Sequence, residues 1–107
     1  MTDCVFCKII AGDIPTDKVF ENDKVIAFKD MSPKAPIHYL FVPKDHYEST
    51  NDLAEDASIV TDIFEAIVEV AQRDGFADSG YRVVNNVGRD GLQTVPHLHF
   101  HVLAGRV

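Results

Sequence analysis

Apolar and polar residues alternate along the chain with two periods, which predict several short strands and two helices. The runs rich in Val, Ile and Phe are bounded by turn residues, such as Asn22 and Asp23, that are typical of an antiparallel hairpin. After the hairpin, Pro33 and Pro36 deny the chain ladder hydrogen bonds and predict an ordered loop. The predicted strands lie at residues 18–21, 25–29, 37–42, 81–87 and 94–101.

Helical spacing of apolar residues occurs in two stretches. The first, residues 4–11, is short. In the second, Asp52 and Glu55 form a capping pair, and apolar residues recur every three or four positions towards Gly75, where a left-handed cap is expected. The acidic residues of this long helix are interpreted as a solvated face. These elements predict a single α+β domain over residues 1–107, with an antiparallel five-stranded sheet, one long helix and a short N-terminal helix.

Composition and charge narrow the class of protein. The chain of 107 residues suffices for one modest core, and no apolar run in it approaches the ~20 residues of a membrane span. Its first residues lack the basic and apolar regions of a signal peptide, so a cytoplasmic protein is expected. The net charge of −7 argues against broad binding to nucleic acid, which needs many Lys and Arg contacts to phosphates, but it permits a small phosphorylated ligand.

Three of the five histidines, His97, His99 and His101, alternate with apolar residues in the last predicted strand. Alternation places their side chains on one face of that strand, roughly 6 to 7 Å apart. Imidazole is a poor core side chain that titrates near neutral pH. Two interpretations follow: the three rings bind a catalytic metal with an open position, or one ring is a nucleophile or base whose neighbours orient it and bind an anion.

The residues before the histidines favour the nucleophile. A metal hydrolase would need carboxylates and a general base around its metal ligands. Gln93, Thr94 and the turn at residues 88–91 offer amide, hydroxyl and backbone donors instead. Such donors are suited to holding phosphate oxygens.

The histidine-rich segment H-L-H-F-H, followed by Val102 and Leu103, resembles the signature of the histidine triad superfamily. Three other segments resemble the nucleoside phosphoramidase branch of that superfamily in order and spacing. They are C-V-F-C-K-I-I-A-G-D-I-P from Cys4, D-M-S-P-K-A-P-I-H-Y-L-F-V-P-K-D-H from Asp30 and Y-R-V-V-N-N-V-G-R-D-G-L-Q-T from Tyr81. The likeness spans nearly the whole chain, and the sequence is identified as a member of the superfamily.

The resemblance implies hydrolysis of a purine nucleoside monophosphate that is bonded to an amine, an acyl group or a second phosphate. The reaction would pass through a covalent nucleotidyl-histidine on the middle histidine of the triad, His99, with His101 and His38 assisting around the phosphate and leaving group. No cofactor is required for this chemistry. The nucleotide contacts implied are Phe6, Ile9, Phe28 and Met31 to the base, Asp30 to the ribose hydroxyls, Asn86 to the phosphate and ribose, Gln93 and Thr94 to the phosphate or leaving atom, and the peptide of Leu92 near the phosphate.

Several of these residues have a second interpretation from the sequence. Phe6, Ile9 and Phe28 would be ordinary core residues, and Asp30 would cap a turn. Leu92 stands where the phosphoramidase branch commonly has a glycine, and many relatives continue beyond the position where this sequence ends. Leaving-group specificity is therefore open.

Cys4 and Cys7 form a C-x-x-C pair. In a reducing compartment that spacing indicates metal binding or redox chemistry, and two buried free thiols are a further interpretation. Some bacterial relatives and the related hexose-phosphate uridylyltransferases have such a pair, a central histidine and the first triad histidine as zinc ligands. The resemblance implies a structural zinc site of Cys4, Cys7, His46 and His97.

The resemblance also implies an oligomeric state, and two other functions remain open. Relatives are homodimers that join their sheets and pack their long helices, and the same is expected here, with no nucleic acid and no membrane partner. One rival function is a dinucleoside polyphosphate hydrolase or nucleotidyl transferase of the same superfamily. The other is a nucleotide-binding or zinc-bearing interaction protein whose activity is incidental.

Overall fold

The computed structural model describes residues 4–105, which form a five-stranded antiparallel sheet covered by two helices. The strand order is β1-β2-β3-β5-β4, so the last strand of the chain lies inside the sheet, between β3 and β4. The predicted fold class is confirmed. In chain order the elements are α1 (Val5–Ile10), β1 (Lys18–Glu21), β2 (Val25–Lys29), β3 (Ile37–Pro43), a 3₁₀ helix (Thr50–Leu53), α2 (Ser58–Arg73), β4 (Tyr81–Val84) and β5 (Phe100–Ala104).

The sheet is buried on both faces because successive residues of its central strands point to opposite sides. On one face Ala27 and Phe41 belong to a core that includes Ile67 of α2. On the other face Phe28 belongs to a second core that includes Phe6 of α1. Full burial of one such apolar side chain contributes about 1.5 to 3 kcal/mol to stability. In the part of the chain described, no helix has the length and apolar character needed to cross a membrane.

The long helix begins at Ser58, later than the sequence predicted. The predicted capping pair of Asp52 and Glu55 is wrong. Asp52 belongs to the separate 3₁₀ helix, and its carboxylate accepts the backbone N–H of Glu48 at 2.8 Å. Asp56 takes the place nearest the start of α2, where its carboxylate accepts the N–H of Ser58 at 3.0 Å. The left-handed residue after the helix is Gly75 with φ 83°, as predicted.

The last two strands of the chain also differ from the prediction. β4 ends at Val84 rather than at residue 87, and β5 begins at Phe100, so only the last two residues of the predicted strand 94–101 lie in a strand. Pro96 has no N–H to donate to a ladder, and the N–H of Leu98 donates to the carbonyl of Tyr47 at 2.7 Å instead. The predicted alternation of faces nevertheless holds, because the apolar residues between the histidines belong to the core that α2 covers.

Candidate active site

The rings of His97, His99 and His101 lie among residues on the α1 side of the sheet. His97 and His99 are almost fully buried, with exposed fractions of 0% and 4%, and His101 is half-buried. The Phe6 ring of α1 packs edge-on against His99, with ring centroids 5.0 Å apart. His38, on the neighbouring strand β3, is also buried. The structure therefore brings all three predicted catalytic histidines to one place.

His99 is held as a neutral ring with one tautomer. Its Nδ1 lies 2.7 Å from the backbone oxygen of His97, and because a carbonyl only accepts, Nδ1 carries the proton. Nε2 therefore keeps its lone pair. Burial lowers the pKa of His99, and this effect outweighs the hydrogen bond to His97 and the charge of Asp30, which act in the opposite direction. A neutral imidazole with a free Nε2 is ready to act as a nucleophile.

A chain of hydrogen bonds sets the proton positions on His38 and His101. The backbone N–H of Lys34 donates to His38 Nδ1 at 3.0 Å, so the proton of neutral His38 is on Nε2. That atom lies 2.9 Å from His101 Nδ1 and donates to it. His101 in turn has its proton on Nε2. Burial is the largest cause that lowers the pKa of both rings, that of His101 to about 4, so the pair is neutral near pH 7.

A cavity of about 260 Å³ opens beside His99 and His101. Its walls combine apolar side chains with polar groups at the rim, as in sites for small organic ligands. Met31 at its rim is 95% exposed, although it is apolar. Of the predicted site residues, the structure places Phe6, Ile9, Phe28, Asp30, Met31, Thr94, His99 and His101 in its lining, and residues that were not predicted add Val5, Ile14, Pro15, Thr16, Lys29, Leu40 and Val95.

Asn86 and Gln93 were predicted to contact the nucleotide, but they are not among the residues that line this cavity. Asn86 Nδ2 donates to the carbonyl of Gly91 at 2.8 Å. The amide of Gln93 donates to the carbonyl of Glu48 at 2.7 Å and accepts the N–H of Gly88 at 2.9 Å. Asn86 therefore bonds within the loop between β4 and β5, and Gln93 joins that loop to the segment before the 3₁₀ helix. A phosphate contact through the Gln93 amide would compete with these bonds, whereas the bond of Asn86 uses only one of the two N–H groups of its amide.

Leu92 lies outside the cavity lining as well. Its side chain is 78% exposed and its φ is 64°, in the left-handed region that favours glycine. A non-glycine residue held in that region costs on the order of 1 to 3 kcal/mol. The backbone thus keeps the conformation of the glycine that the resemblance implies at this position, and the leucine side chain is directed into solvent.

Sequence reasoning missed two groups that hold the histidines. One is the backbone N–H of Lys34, which binds His38. The other is Asn85, whose Nδ2 donates to the backbone oxygen of His99 at 2.9 Å. The sequence predicted a strand that extended to residue 87, and nothing in that pattern indicated a bond from the Asn85 side chain to His99. In the structure Asn85 lies one residue beyond the end of β4, where its side chain makes this bond.

A second cluster lies beside the first and contains Cys4, Cys7, His46 and His97. Their donor atoms all lie within 4.8 Å of one another. Cys4 Sγ is 3.3 Å from His97 Nδ1, Cys7 Sγ is 3.3 Å from His46 Nδ1, and the two Nδ1 atoms are 3.0 Å apart. Tetrahedral ligands at zinc distances would be about 3.3 to 3.8 Å apart. The two distances from sulfur to nitrogen lie at the lower end of this range and the distance between the two Nδ1 atoms lies just below it, so a small outward shift of the rings would fit one tetrahedral metal ion.

The tautomer of His97 agrees with metal binding. Its Nε2 lies 3.0 Å from the carbonyl oxygen of Pro43 and must donate to it, so the Nδ1 lone pair is turned towards the two sulfurs. A hydrogen bond from the far nitrogen to a carbonyl is the usual way in which proteins orient a metal-binding histidine. The set of two thiols and two imidazoles is one that zinc prefers.

Acid should destabilise the protein in part through His101. Its pKa of about 4 lies below the ordinary 6.5, so below pH 6.5 the unfolded chain takes up a proton that the folded chain refuses. The free energy of unfolding should therefore fall as the pH drops from 6.5 to 4, by at most about 3 kcal/mol and by less because the ring is partly exposed. Urea unfolding at several pH values would measure the fall. His101→Gln should flatten this part of the profile, and an unchanged profile would contradict the assignment.

Comparisons with known proteins extend over the whole described chain. The family model described as "Scavenger mRNA decapping enzyme C-term binding" matches residues 3–106. The purine nucleoside phosphoramidase of Escherichia coli strain K12 is 40% identical over 103 residues, which are 95% of this chain and 87% of that protein. A solved histidine triad protein from Clostridium difficile is similar with a TM-score of 0.98 and 49% identity, covering 100% of this chain and 94% of that one.

A second solved structure has the same fold. The HIT family hydrolase from Legionella pneumophila Philadelphia 1 is similar with a TM-score of 0.94 and 42% identity, and the match covers 98% of this chain and 95% of that one. Identities of 40% to 49% over almost the full length of the chains indicate a family relationship as well as a shared fold. The sheet, both helices and the histidine segment all lie within the matched region.

Proposed function

The chain belongs to the histidine triad family, and on that premise we propose that it is a hydrolase of purine nucleoside phosphoramidates or related nucleoside monophosphate conjugates. The observation that carries the proposal is the His99 ring, which has its proton held on Nδ1 and a free Nε2 at the wall of a ligand-sized cavity. The relatives support it, since one is named a purine nucleoside phosphoramidase and another a HIT family hydrolase.

In the proposed reaction, His99 Nε2 attacks the phosphorus atom, and the bond from phosphorus to the leaving nitrogen breaks. The nitrogen keeps the electron pair of that bond, takes up a proton from solvent and leaves as an amine. The product is a nucleotidyl-histidine, whose ring is positively charged because Nδ1 keeps its proton. The carbonyl oxygen of His97 accepts that proton's hydrogen bond at 2.7 Å and stabilises the charge. An oxygen of water then bonds to phosphorus, the bond from phosphorus to His99 Nε2 breaks, and the water gives up one proton to solvent, which releases the nucleoside monophosphate and restores neutral His99. His101, which offers Nε2–H, would bind a phosphate oxygen or the leaving nitrogen.

The cavity suits the remaining parts of a nucleotide. Phe6, Ile9 and Phe28 would pack against the base. Asp30 has one carboxylate oxygen occupied by the N–H of Ser32 at 2.7 Å, and its other oxygen lies 3.5 Å from His38 Nε2. That second oxygen could accept hydrogen bonds from ribose hydroxyls. This position would place the sugar between the base and the histidines.

Incubation of the purified protein with adenosine 5′-phosphoramidate, and in parallel with diadenosine tetraphosphate, tests the proposal. Release of AMP from the phosphoramidate is expected to be the faster reaction. Faster cleavage of diadenosine tetraphosphate would instead identify a dinucleoside polyphosphate hydrolase. Binding of AMP without turnover of either substrate would identify a nucleotide-binding protein and overturn the enzyme proposal.

We also propose that Cys4, Cys7, His46 and His97 bind a structural zinc ion. The proposal is supported by the donor set and by the spacing of the four donor atoms. When bound, zinc would link α1 to the segment that precedes β5, and all four protein ligands would close the site to substrate. Cys4 caps α1, and the backbone oxygen of His97 holds the His99 ring, so these residues connect the cluster to the nucleophile.

A homodimer is proposed from an exposed apolar surface on α2. Val68 is 46% exposed there, in a groove of about 660 Å³ that also includes Val60 and Phe64. β4 lies at the edge of the sheet, and within residues 4–105 no strand pairs with its outer side. An exposed apolar patch of this kind is typical of a protein interface. Pairing through α2 and β4 would cover both surfaces.

Val68→Glu is expected to convert the dimer into a monomer, because it would bury charges across the interface. Sedimentation equilibrium would measure the mass. Ser58→Glu, which places the same charge at an exposed position at the start of α2, should leave the dimer intact. A wild-type protein that sediments as a monomer at every concentration would overturn the proposal.

A further inference from the structure

The side chain of Asn85 connects His99, the proposed nucleophile, to the 3₁₀ helix at Thr50–Leu53. Its Nδ2 donates to the backbone oxygen of His99 at 2.9 Å. Its Oδ1 accepts the hydroxyl proton of Thr50, which lies in the 3₁₀ helix. The orientation of the amide is unambiguous, because the carbonyl of His99 cannot donate and must face the NH₂ group.

The sheet alone leaves the backbone of His99 without a ladder partner on this side. Pairing between β4 and β5 ends with Val84 opposite His101, so among the described residues the ladder does not extend to His99. His99 is only 4% exposed, so a carbonyl left unpaired in this region would be costly. The side chain of Asn85 supplies the missing donor one residue beyond the end of β4.

We propose that Asn85, oriented by Thr50, is a positioning residue for His99. His97 holds the ring of His99, and Asn85 holds its main chain, so together they fix the direction of Nε2. Neither Asn85 nor Thr50 lines the cavity. Loss of the brace should therefore reduce the rate of attack without weakening nucleotide binding. The proposal rests on the proposed function, since it assigns the brace to the same nucleophile.

The substitution Asn85→Asp tests the brace, because it keeps the shape of the side chain and replaces the NH₂ donor by an oxygen that repels the His99 carbonyl. kcat for adenosine 5′-phosphoramidate should fall by about 10- to 100-fold, as expected for a small misplacement of a reacting atom. KM should change by less than about twofold. The matched control is Asn51→Asp, the same change at an exposed position next to Thr50, which should leave both constants unchanged.

A second variant and a second readout separate positioning from a general loss of stability. Thr50→Val removes the hydroxyl that orients the amide and should lower kcat in the same direction but by less, even if Asn85→Asp folds poorly. In NMR spectra, the Nδ1 proton of His99 should exchange slowly in the wild type and faster in both variants. This signal is read without substrate, so it still tests the brace if the wild type proves inactive towards every nucleotide.

Unchanged kcat and unchanged exchange of the His99 Nδ1 proton in a folded Asn85→Asp protein would overturn the proposal. A rise in KM at constant kcat would also overturn it, because that result would assign Asn85 to substrate binding. An equal loss of kcat in Asn51→Asp would show that the effect is merely one of added charge near Thr50, which likewise contradicts a specific brace.

Discussion

Replacing His99 by alanine is expected to lower kcat for adenosine 5′-phosphoramidate by a factor on the order of 10⁴ or more, because the variant loses the attacking atom. No second histidine of the cavity can take over this role. Nδ1 of His101 already accepts the proton of His38 at 2.9 Å, and its Nε2 carries a proton of its own. Steady-state kinetics with wild type and variant at equal concentration would measure the difference.

The matched control for this experiment is His101→Gln. Glutamine keeps a hydrogen-bond donor in the cavity, so the loss should be only about 10²-fold, in the lower range for a group that assists proton transfer or charge stabilisation. Rapid acid-free quenching and mass spectrometry of a protease digest should find the nucleotidyl group on His99. Modification of His97 or His101 instead, or equal rates for wild type and His99→Ala, would reject the assigned nucleophile.

The sheet was predictable because its strands are short, rich in β-branched and aromatic residues, and separated by turn residues. The residues at which α2 and β5 begin were harder to predict. Asp52 stands before an apolar residue as helix caps do, but a 3₁₀ helix and a helix start share that local signal, and the competing partner of its carboxylate is the backbone of Glu48. Pro96 was the available sign that the histidine segment leaves the ladder before Phe100.

The candidate site was predictable to the extent that its side chains belong to local patterns. The triad alternates with apolar residues, and that alternation predicted the common face of the three histidines. The prediction of the face holds although only His101 lies in β5, because Leu98 and Phe100 both belong to the core on the other side. His38 and His46 lie far from the triad in sequence, and only the resemblance connected them to it. The proton positions follow from contacts such as Lys34 N–H to His38 and the bond between His38 and His101, which depend on how separate strands meet.

The loop between β4 and β5 was the least predictable part of the site. An amide that binds a ligand and an amide that holds a loop look alike in sequence. Asn86 and Gln93 were predicted to contact the nucleotide, and the structure shows hydrogen bonds of Asn86 within the loop and of Gln93 with the loop and with Glu48. Asn85, adjacent in sequence, instead reaches His99. Which of the two neighbouring asparagines faces the nucleophile depends on where β4 ends, and the sequence pattern placed that end three residues too late, at residue 87 instead of Val84.

Loss of the proposed zinc should cause the largest change in stability. Cys4 and His97 are buried, and without a metal two thiols and two imidazoles face one another across 3.0 to 3.6 Å with few donors among them. Zinc sites in small domains contribute on the order of 10 kcal/mol, and here we expect about 3 to 5 kcal/mol because the sheet has a core of its own. Each kcal/mol should lower Tm by roughly 4 to 8 °C.

The test compares zinc content and Tm for the wild type, Cys4→Ser and Lys8→Ser. Lys8 is exposed on the same short helix, so Lys8→Ser controls for a serine in α1 and should keep both the metal and the Tm. The wild type should contain one zinc per chain, and a strong chelator should lower its Tm to that of Cys4→Ser, which has no metal to lose. Metal-free wild-type protein together with an unchanged Tm in Cys4→Ser would reject the zinc site. Thiol titration would then distinguish two free thiols from a redox-active pair, because only the redox-active pair loses two thiols on mild oxidation.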